Sequence, residues 1–426
     1  MSHRVTSSPD FIIRSVETPA ETEAFFRLNA QAFRPDEDTG LVAAHRQRFV
    51  TDDPHFHSTQ LRGAFLDRTC VGGYILFERT LCLGPSRLLT GCISGVVTHP
   101  DYRHQGIATV LMEDAIRSAE SRHDALLFLH GLPGFYDQFG YTDVLEDLPR
   151  HSVSCNLFGE QSPGAYTVRP ATLADAPALL ALYQRHHSSY LGSFAPTRAL
   201  RYQEHLLCNW IEATEPQSLL ALNATQELHG YLMFAQRGSQ PYVYEVAAET
   251  WPAALALLQA HMHLFEAEGE PPRTIWWPLP PTSQTFYLLA DHLSVRSELI
   301  SYPNRGWMAR PAHLLTLLQS LLPLWREYWQ QRPRTMNWTG TLGFTIDDDR
   351  SFLKVGPTDL QLVNDPSFSP QSVRLTRQMF TQLIFGFRPL SWVMAQPGQH
   401  IPTNLLPLCE VLFPLSQAWV AGTDFF

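Results

Sequence analysis

Hydrophobic positions change period several times along the chain, and each change marks an element. Phe11-Ile-Ile-Arg-Ser-Val is a short strand pattern, and Phe25, Phe26, Leu28 and Phe33 give residues 21–33 a helical face. Two strand-like runs, 63–67 and 71–78, are separated by turn-prone residues. Residues 88–98 predict a strand, 103–122 a helix and 125–130 an apolar strand, with another helix after it. The order β-α-β-β-β-α-β followed by a helix is an α+β layout, with helices packed on a mixed sheet.

The same order restarts at Thr167. A strand and a helix over 168–183, with Pro177 tolerated near the helix start, precede a hairpin (218–223 and 230–235), a strand (242–247) and an amphipathic helix (252–268). Ile275-Trp-Trp-Pro-Leu-Pro-Pro followed by Phe286-Tyr-Leu-Leu parallels Leu126-Leu-Phe-Leu-His-Gly-Leu-Pro followed by Phe135-Tyr-Asp-Gln-Phe. The pattern reads as an internal duplication with a period of about 150 residues. From about Tyr302 a leucine-rich helix leads into strand candidates 336–347, 351–355 and 359–363, with a turn at Asp347-Asp-Asp-Arg. A helix over 372–386 and a Pro-punctuated tail ending Gly422-Thr-Asp-Phe-Phe complete a smaller α+β unit. The expected units are 1–158, 159–302 and 303–426.

Composition adds exclusions. A chain of 426 residues that is 44% hydrophobic and 17% charged is globular, neither disordered nor collagen-like. A net charge of -10 argues against nucleic acid as a main partner, which needs a basic face, and suits either a cationic substrate or simple solubility. The six cysteines form no C-x-x-C pair, so no zinc ribbon or disulfide framework is indicated. Met1-Ser-His-Arg has no apolar signal core, and the leucine-rich run 312–325 is too short and polar to span a bilayer. A soluble, cytoplasmic protein without metal or membrane partner is expected. His55-Phe-His57 lacks an obvious third ligand, and His186-His187 and Asp347-Asp-Asp349 read as solvated surface.

The strongest chemical signal is Gly95-Val-Val-Thr-His-Pro-Asp-Tyr-Arg-His-Gln-Gly-Ile-Ala-Thr109. A strand ends, a turn follows, and Gly106 falls in the first turn of the next helix. Helix N-termini expose unpaired N–H groups and a partial positive charge, so a pyrophosphate can dock there. Gly106 and the small Ala108 keep that backbone uncovered. A second signal is Gly131-Leu-Pro-Gly-Phe-Tyr-Asp-Gln-Phe-Gly-Tyr141, whose aromatics fit a core as well as a site.

The first block resembles the acetyl-CoA motif of GNAT N-acetyltransferases, Arg/Gln-x-x-Gly-x-Gly/Ala, seen here as Arg103-His-Gln-Gly-Ile-Ala108. The resemblance implies that Val96, Val97 and Thr98 offer backbone groups to the pantetheine of acetyl-CoA. It implies that the amides of His104, Gln105, Gly106, Ile107, Ala108 and Thr109 hold the pyrophosphate, while Arg103 either touches phosphate or braces the turn. Gly131 and Leu132 would line the cofactor, and Tyr136 would be the general acid that protonates the departing thiolate.

Over nearly the full length the chain resembles the Eis (enhanced intracellular survival) acetyltransferases, through Phe135-Tyr-Asp-Gln-Phe-Gly-Tyr141, Leu383-Ile-Phe-Gly-Phe-Arg-Pro389 and the terminal Asp424-Phe-Phe426. That implies two tandem GNAT-type domains, the second degenerate, and a C-terminal sterol-carrier-protein-like α+β domain whose end enters the active site. The α-carboxylate of Phe426 would be the general base. A free α-carboxyl titrates near about 3.3–3.7, low for a base in water, and burial among aromatics such as Phe425 raises it. The second copy lacks the turn: Val246-Ala-Ala-Glu-Thr-Trp-Pro puts Glu249 where phosphate would lie and Pro252 where a donor is needed, so it is expected not to bind CoA. The expected reaction is direct acetyl transfer in a ternary complex to a primary amine of a cationic, aminoglycoside-like molecule, by a homohexamer. Acetylation of a lysine or polyamine remains open, as does, outside enzymes, lipid binding by the third unit.

Overall fold

The computed structural model describes residues 11–53, 55–145, 147–187, 190–195, 217–237, 240–266, 272–280, 282–300, 306–333, 335–364, 371–424 and 426. The chain starts with β1 (Ile12–Ser15), α1 (Pro19–Phe33), α2 (Thr39–Thr51), β2 (Leu61–Leu66), β3 (Thr69–Leu83) and β4 (Ser86–Thr98). Next come α3 (Ile107–Ser121), β5 (Leu126–Gly131) and β6 (Thr142–Asp143). Helix α1 is opened by a reciprocal cap: Thr18 Oγ1 accepts from the Glu21 amide at 3.2 Å, and the Glu21 carboxylate accepts from the Thr18 amide at 3.3 Å. Its Phe25 and Phe26 are fully buried against the sheet.

The middle of the chain contains β7 (Asp147–Ser154), β8 (Thr167–Pro170), α4 (Ala176–His187), β9 (Ser193–Phe194), β10 (Gln217–Leu222), β11 (Leu228–Arg237) and β12 (Gln240–Ala248). It continues with α5 (Trp251–Glu266), β13 (Thr274–Pro278), α6 (Gln284–His292) and β14 (Val295–Ile300). The last part holds β15 (Gly306–Pro311), α7 (Leu314–Gln331), β16 (Gly340–Ile346), β17 (Asp349–Val355), β18 (Leu360–Val363), β19 (Gln371–Leu375), α8 (Arg377–Ile384), α9 (Leu390–Met394) and α10 (Leu406–Leu412).

Pairing does not respect chain order. The first sheet runs β1-β2-β3-β4-β5-β15-β6, so a strand from beyond residue 300 fills the place between β5 and β6. In the middle of the chain β12-β11-β10-β8 form one sheet and β13-β7-β14 another, with β7 between β13 and β14. The two halves therefore show one plan: four strands, a helix, then a strand and its neighbour. Each half has received the inserted strand that follows the other. The exchange ties them together covalently twice, and β9 adds a third link by pairing with β3. The final sheet, β18-β17-β16-β19, packs with α7 and α8 into a core cluster continuous with the α1–α2 face of the first sheet.

Several sequence expectations change. Helix α2 was not anticipated, because only Val42, Ala43 and Val50 of its thirteen residues are buried. The helix expected over 103–122 begins at Ile107, since residues 103–106 form the turn itself. The helix expected after β5 is a single 3-10 turn, Asp137–Phe139. The helix expected over 372–386 divides into β19, whose Val373 and Leu375 alternate inward and pair parallel with β16, and α8. The 302/303 boundary, Phe425 and the end of the helix expected to reach 268 lie outside the described residues.

Candidate active site

The site begins as a defect in the first sheet. Strands β4 and β5 run parallel and in register from Thr90↔Leu126 to Ile93↔Leu129, and there the ladder stops. Just beyond, Gly95 adopts a φ of 60°, and the pairing of β4 with β3 slips between Gly73 and Ile75. This bulge bends β4 away from β5. The buried Asn29 of α1 holds it, donating from Nδ2 to the Gly95 carbonyl at 3.1 Å. A Cβ on residue 95 would sit 2.6 Å from that nitrogen, which leaves glycine as the residue that fits. Asn29 carried no signal in the sequence, because a lone polar residue on a helix face has no local pattern.

Val96, Val97 and Thr98 form one lip of the resulting gap. Val97 and Thr98 still pair with Gly73 and Gly72 of β3 but have lost β5 on their other edge. Gly131, at the end of β5, and the 64% exposed Leu132 form the other lip. Gly131 has no room for a side chain: a Cβ there would meet the Met308 sulfur at 2.5 Å and the Tyr136 ring at 3.2 Å.

Between the end of β4 and α3 the chain makes the anticipated turn. His104 has a φ of 61° and Gly106, the residue that opens α3, a φ of 83°, with nothing within 4 Å of where its Cβ would stand. Arg103, His104 and Gly106 are exposed while Ile107 is buried beneath them. The first-turn amides of α3, among them those of Ile107, Ala108 and Thr109, have no intrahelical acceptors and face open space beside Gly106. Gln105 reaches back, its Nε2 donating to the Asp101 carbonyl at 3.4 Å. Helix α3 is fixed to the sheet by a polar anchor: Asp114 accepts from Tyr74 Oη at 2.7 Å and from Arg62 Nε at 2.9 Å. The arrangement sets a helix end with free amides at the mouth of a strip of backbone that β5 leaves unpaired.

Residues 13–144 match the profile of the acetyltransferase (GNAT) domain family. The α+β fold is built around a GNAT-type core. The chain is thus an acyltransferase enzyme whose donor is acetyl-CoA. Solved structures share the fold over the whole chain. A GCN5-related N-acetyltransferase from Kribbella flavida is 18% identical with a TM-score of 0.69, covering 98% of this chain and 99% of its own. Another from Anabaena variabilis ATCC 29413 is 14% identical with a TM-score of 0.70, covering 98% and 100%. Eis1 from Mycobacterium abscessus is 16% identical with a TM-score of 0.65, again covering 98% and 100%. No curated protein matches the sequence.

In this acetyltransferase Tyr136 starts the 3-10 turn after β5 and is 8% exposed, packed with Phe135, Tyr141 and Met308 on the α3 face of the sheet. Burial pushes its phenol up to about 12, so it holds its proton at neutral pH. Phe426 lies on the other face. Its ring is 5.5 Å from that of Trp307, 6.2 Å from Phe77 and 6.1 Å from Phe194. Consecutive residues of β15 thus serve both faces, Trp307 packing near Phe426 and Met308 beside Tyr136. The tail before Phe426 is pinned by the middle unit: the buried Asp424 accepts from Tyr183 Oη at 2.7 Å, and Thr423 donates to Glu245, which also accepts from Tyr231. A side chain at Gly422 would collide with the Tyr244 carbonyl. Sequence reading missed Tyr183, Glu245 and Trp307, because their role exists only through long-range contacts.

Among the described residues no group of His, Cys, Asp and Glu is placed to hold a metal, and no helix is long and apolar enough to cross a membrane.

Proposed function

We propose that the enzyme moves acetyl from acetyl-CoA directly to a primary amine of a cationic small molecule, aminoglycoside-like in its density of amines, within a ternary complex. The observation that carries this reading is the seat of Phe426: a terminal aromatic packed against Phe77, Phe194 and Trp307 on one face of the sheet, with Tyr136 buried on the other. A gap between β4 and β5 joins the two faces. In this reading the amides of His104, Gln105, Gly106, Ile107, Ala108 and Thr109 bind the pyrophosphate, and Val96, Val97, Thr98, Gly131 and Leu132 flank the pantetheine. The Phe426 α-carboxylate takes a proton from the attacking amine. The amine nitrogen bonds to the thioester carbon, the C–S bond breaks, and Tyr136 gives its proton to the departing sulfur.

The Eis-like division of the chain into 1–158, 159–302 and 303–426 accompanies this reading. The common strand plan of the two halves supports a degenerate GNAT copy in the middle, and the α7-packed sheet is consistent with a sterol-carrier-like third unit. Assembly as a homohexamer in the cytoplasm is part of the same proposal.

A thiol-release assay with acetyl-CoA across aminoglycosides, spermidine and lysine peptides tests the acceptor class. Turnover confined to lysine peptides would replace the small-molecule reading. Extending the chain by a few residues after Phe426 tests the base: activity should collapse while acetyl-CoA affinity is kept, and full activity would refute the assignment.

A further inference from the structure

The middle of the chain has its own opening. Strands β12 and β13 occupy the places that β4 and β5 hold in the first half, but they belong to separate sheets, so this gap is split along its length. It contains a cavity of about 360 Å³, within the range of small-molecule pockets. Its walls are apolar and aromatic: Tyr242 from β12, Phe265 from α5, and Ile275 and Trp276 from β13. Polar side chains interrupt them, among them Arg150, Glu298, His261 and Thr274.

Arg150 is brought here by the strand exchange. It stands on β7 between Pro278 of β13 and Glu298 of β14. The Glu298 carboxylate is paired with Arg296 at 3.4 Å, and among the described residues Arg150 makes no ion pair. His261 Nδ1 accepts from Trp277 Nε1 at 3.1 Å, which puts the imidazole proton on Nε2. That Nε2 is buried without a hydrogen-bond partner. Burial holds the ring neutral, down at about 4. A buried N–H donor without an acceptor is costly. Phosphates have no place at this opening, because Glu249 and Thr250 occupy the corner where α5 begins.

We infer that the cavity between β12 and β13 is a second small-molecule site, separate from the acetyl-CoA gap, that takes an aromatic carboxylic acid. The guanidinium of Arg150 grips the carboxylate in its planar fork, and Phe265 and Trp276 cover the ring. The site does not depend on the acceptor proposed above, since it shares no residue with the transfer centre.

Calorimetric titration of the full-length protein with 3-phenylpropanoate tests this, with 3-phenylpropanamide and 3-phenylpropylamine as neutral and cationic counterparts and with saturating CoA present or absent. One equivalent of the acid should bind, unaffected by CoA, and both counterparts should bind at least ~tenfold more weakly, as should the acid to the Arg150→Met protein. Absence of binding, displacement by CoA, equal binding of the amide, or preference for the amine (which would shift recognition to Glu298) would each overturn the assignment. The amide comparison needs no variant, so the test stands even if Arg150→Met folds poorly.

Discussion

The strand-to-helix corner is built twice in this chain, with opposite outcomes. Between β4 and α3 it is long and open: Gly106 is left-handed and bare, and the helix end points at empty space. Between β12 and α5 it is short and filled. The Ala248 amide donates to Thr285 Oγ1 at 2.8 Å, the Glu249 amide to the His229 carbonyl at 2.8 Å, and the Ala253 amide to Thr250 Oγ1 at 3.3 Å. The Glu249 carboxylate is held by Arg185 at 2.9 Å, and Trp251 stacks on His292 at 4.4 Å. A helix N-terminus binds an external anion only when the protein has not already satisfied it. The comparison teaches that a closed helix end takes more than a missing glycine, because groups from α6 and β11 already fill the β12–α5 corner.

The largest test of the contrast is at the chemistry of the open copy. With Tyr136 as the proposed general acid, Tyr136→Phe should lower kcat by ~10²–10⁴ while leaving the KM for acetyl-CoA nearly unchanged, as measured by thiol release. Gly106→Val comes next. A β-branched residue at a φ of 83° is strained by about 1–2 kcal/mol and covers the helix end, so KM for acetyl-CoA should rise roughly tenfold or more with a smaller change in kcat. Equal losses in both would mean that the turn does more than bind the donor.

The tail links the copies and should respond more modestly. Tyr183→Phe deletes the hydrogen bond to Asp424 and should cost about 1 kcal/mol of stability, read as a lowered Tm, with a fall in kcat if the seat of Phe426 loosens. Acid should weaken the fold through its buried histidines, His261 of the middle unit among them. His261 is depressed by burial from 6.5 to about 4, so the unfolded chain takes up the proton first as pH falls. The stability of its neutral form is complete above 6.5 and is lost between 6.5 and 4. His261→Gln, which keeps an acceptor for Trp277, should blunt the fall in Tm over that window. The smallest expected effect is the sharpest for the comparison: Glu249→Ala should not create CoA binding in the middle unit, since Thr250 and Thr285 still close the corner.

How much was legible follows the range of the interactions. Helix α1, strands β3 and β4 and the turn at Gly106 are written in contiguous residues, and each was expected from the sequence. Residues 372–375 fall in the expected helix although Val373 and Leu375 alternate, because only pairing with β16 decides between the two periods. Helix α2 has no such pattern, because Val42, Ala43 and Val50 are its buried residues and its other positions are mixed.

By itself, the sequence determined the donor half of this protein: a strand, a left-handed glycine and an amphipathic helix in one uninterrupted run, whose geometry depends on local φ values and helix-end amides. Tertiary structure alone decided what stands around it. Exchange of β7 and β15, the hold of Asn29 on the Gly95 carbonyl, and the seat of Phe426 among Phe77, Phe194 and Trp307 all join residues distant in the chain. Strand pairing and aromatic packing reward proximity in space, and no local pattern records which distant segment supplies it.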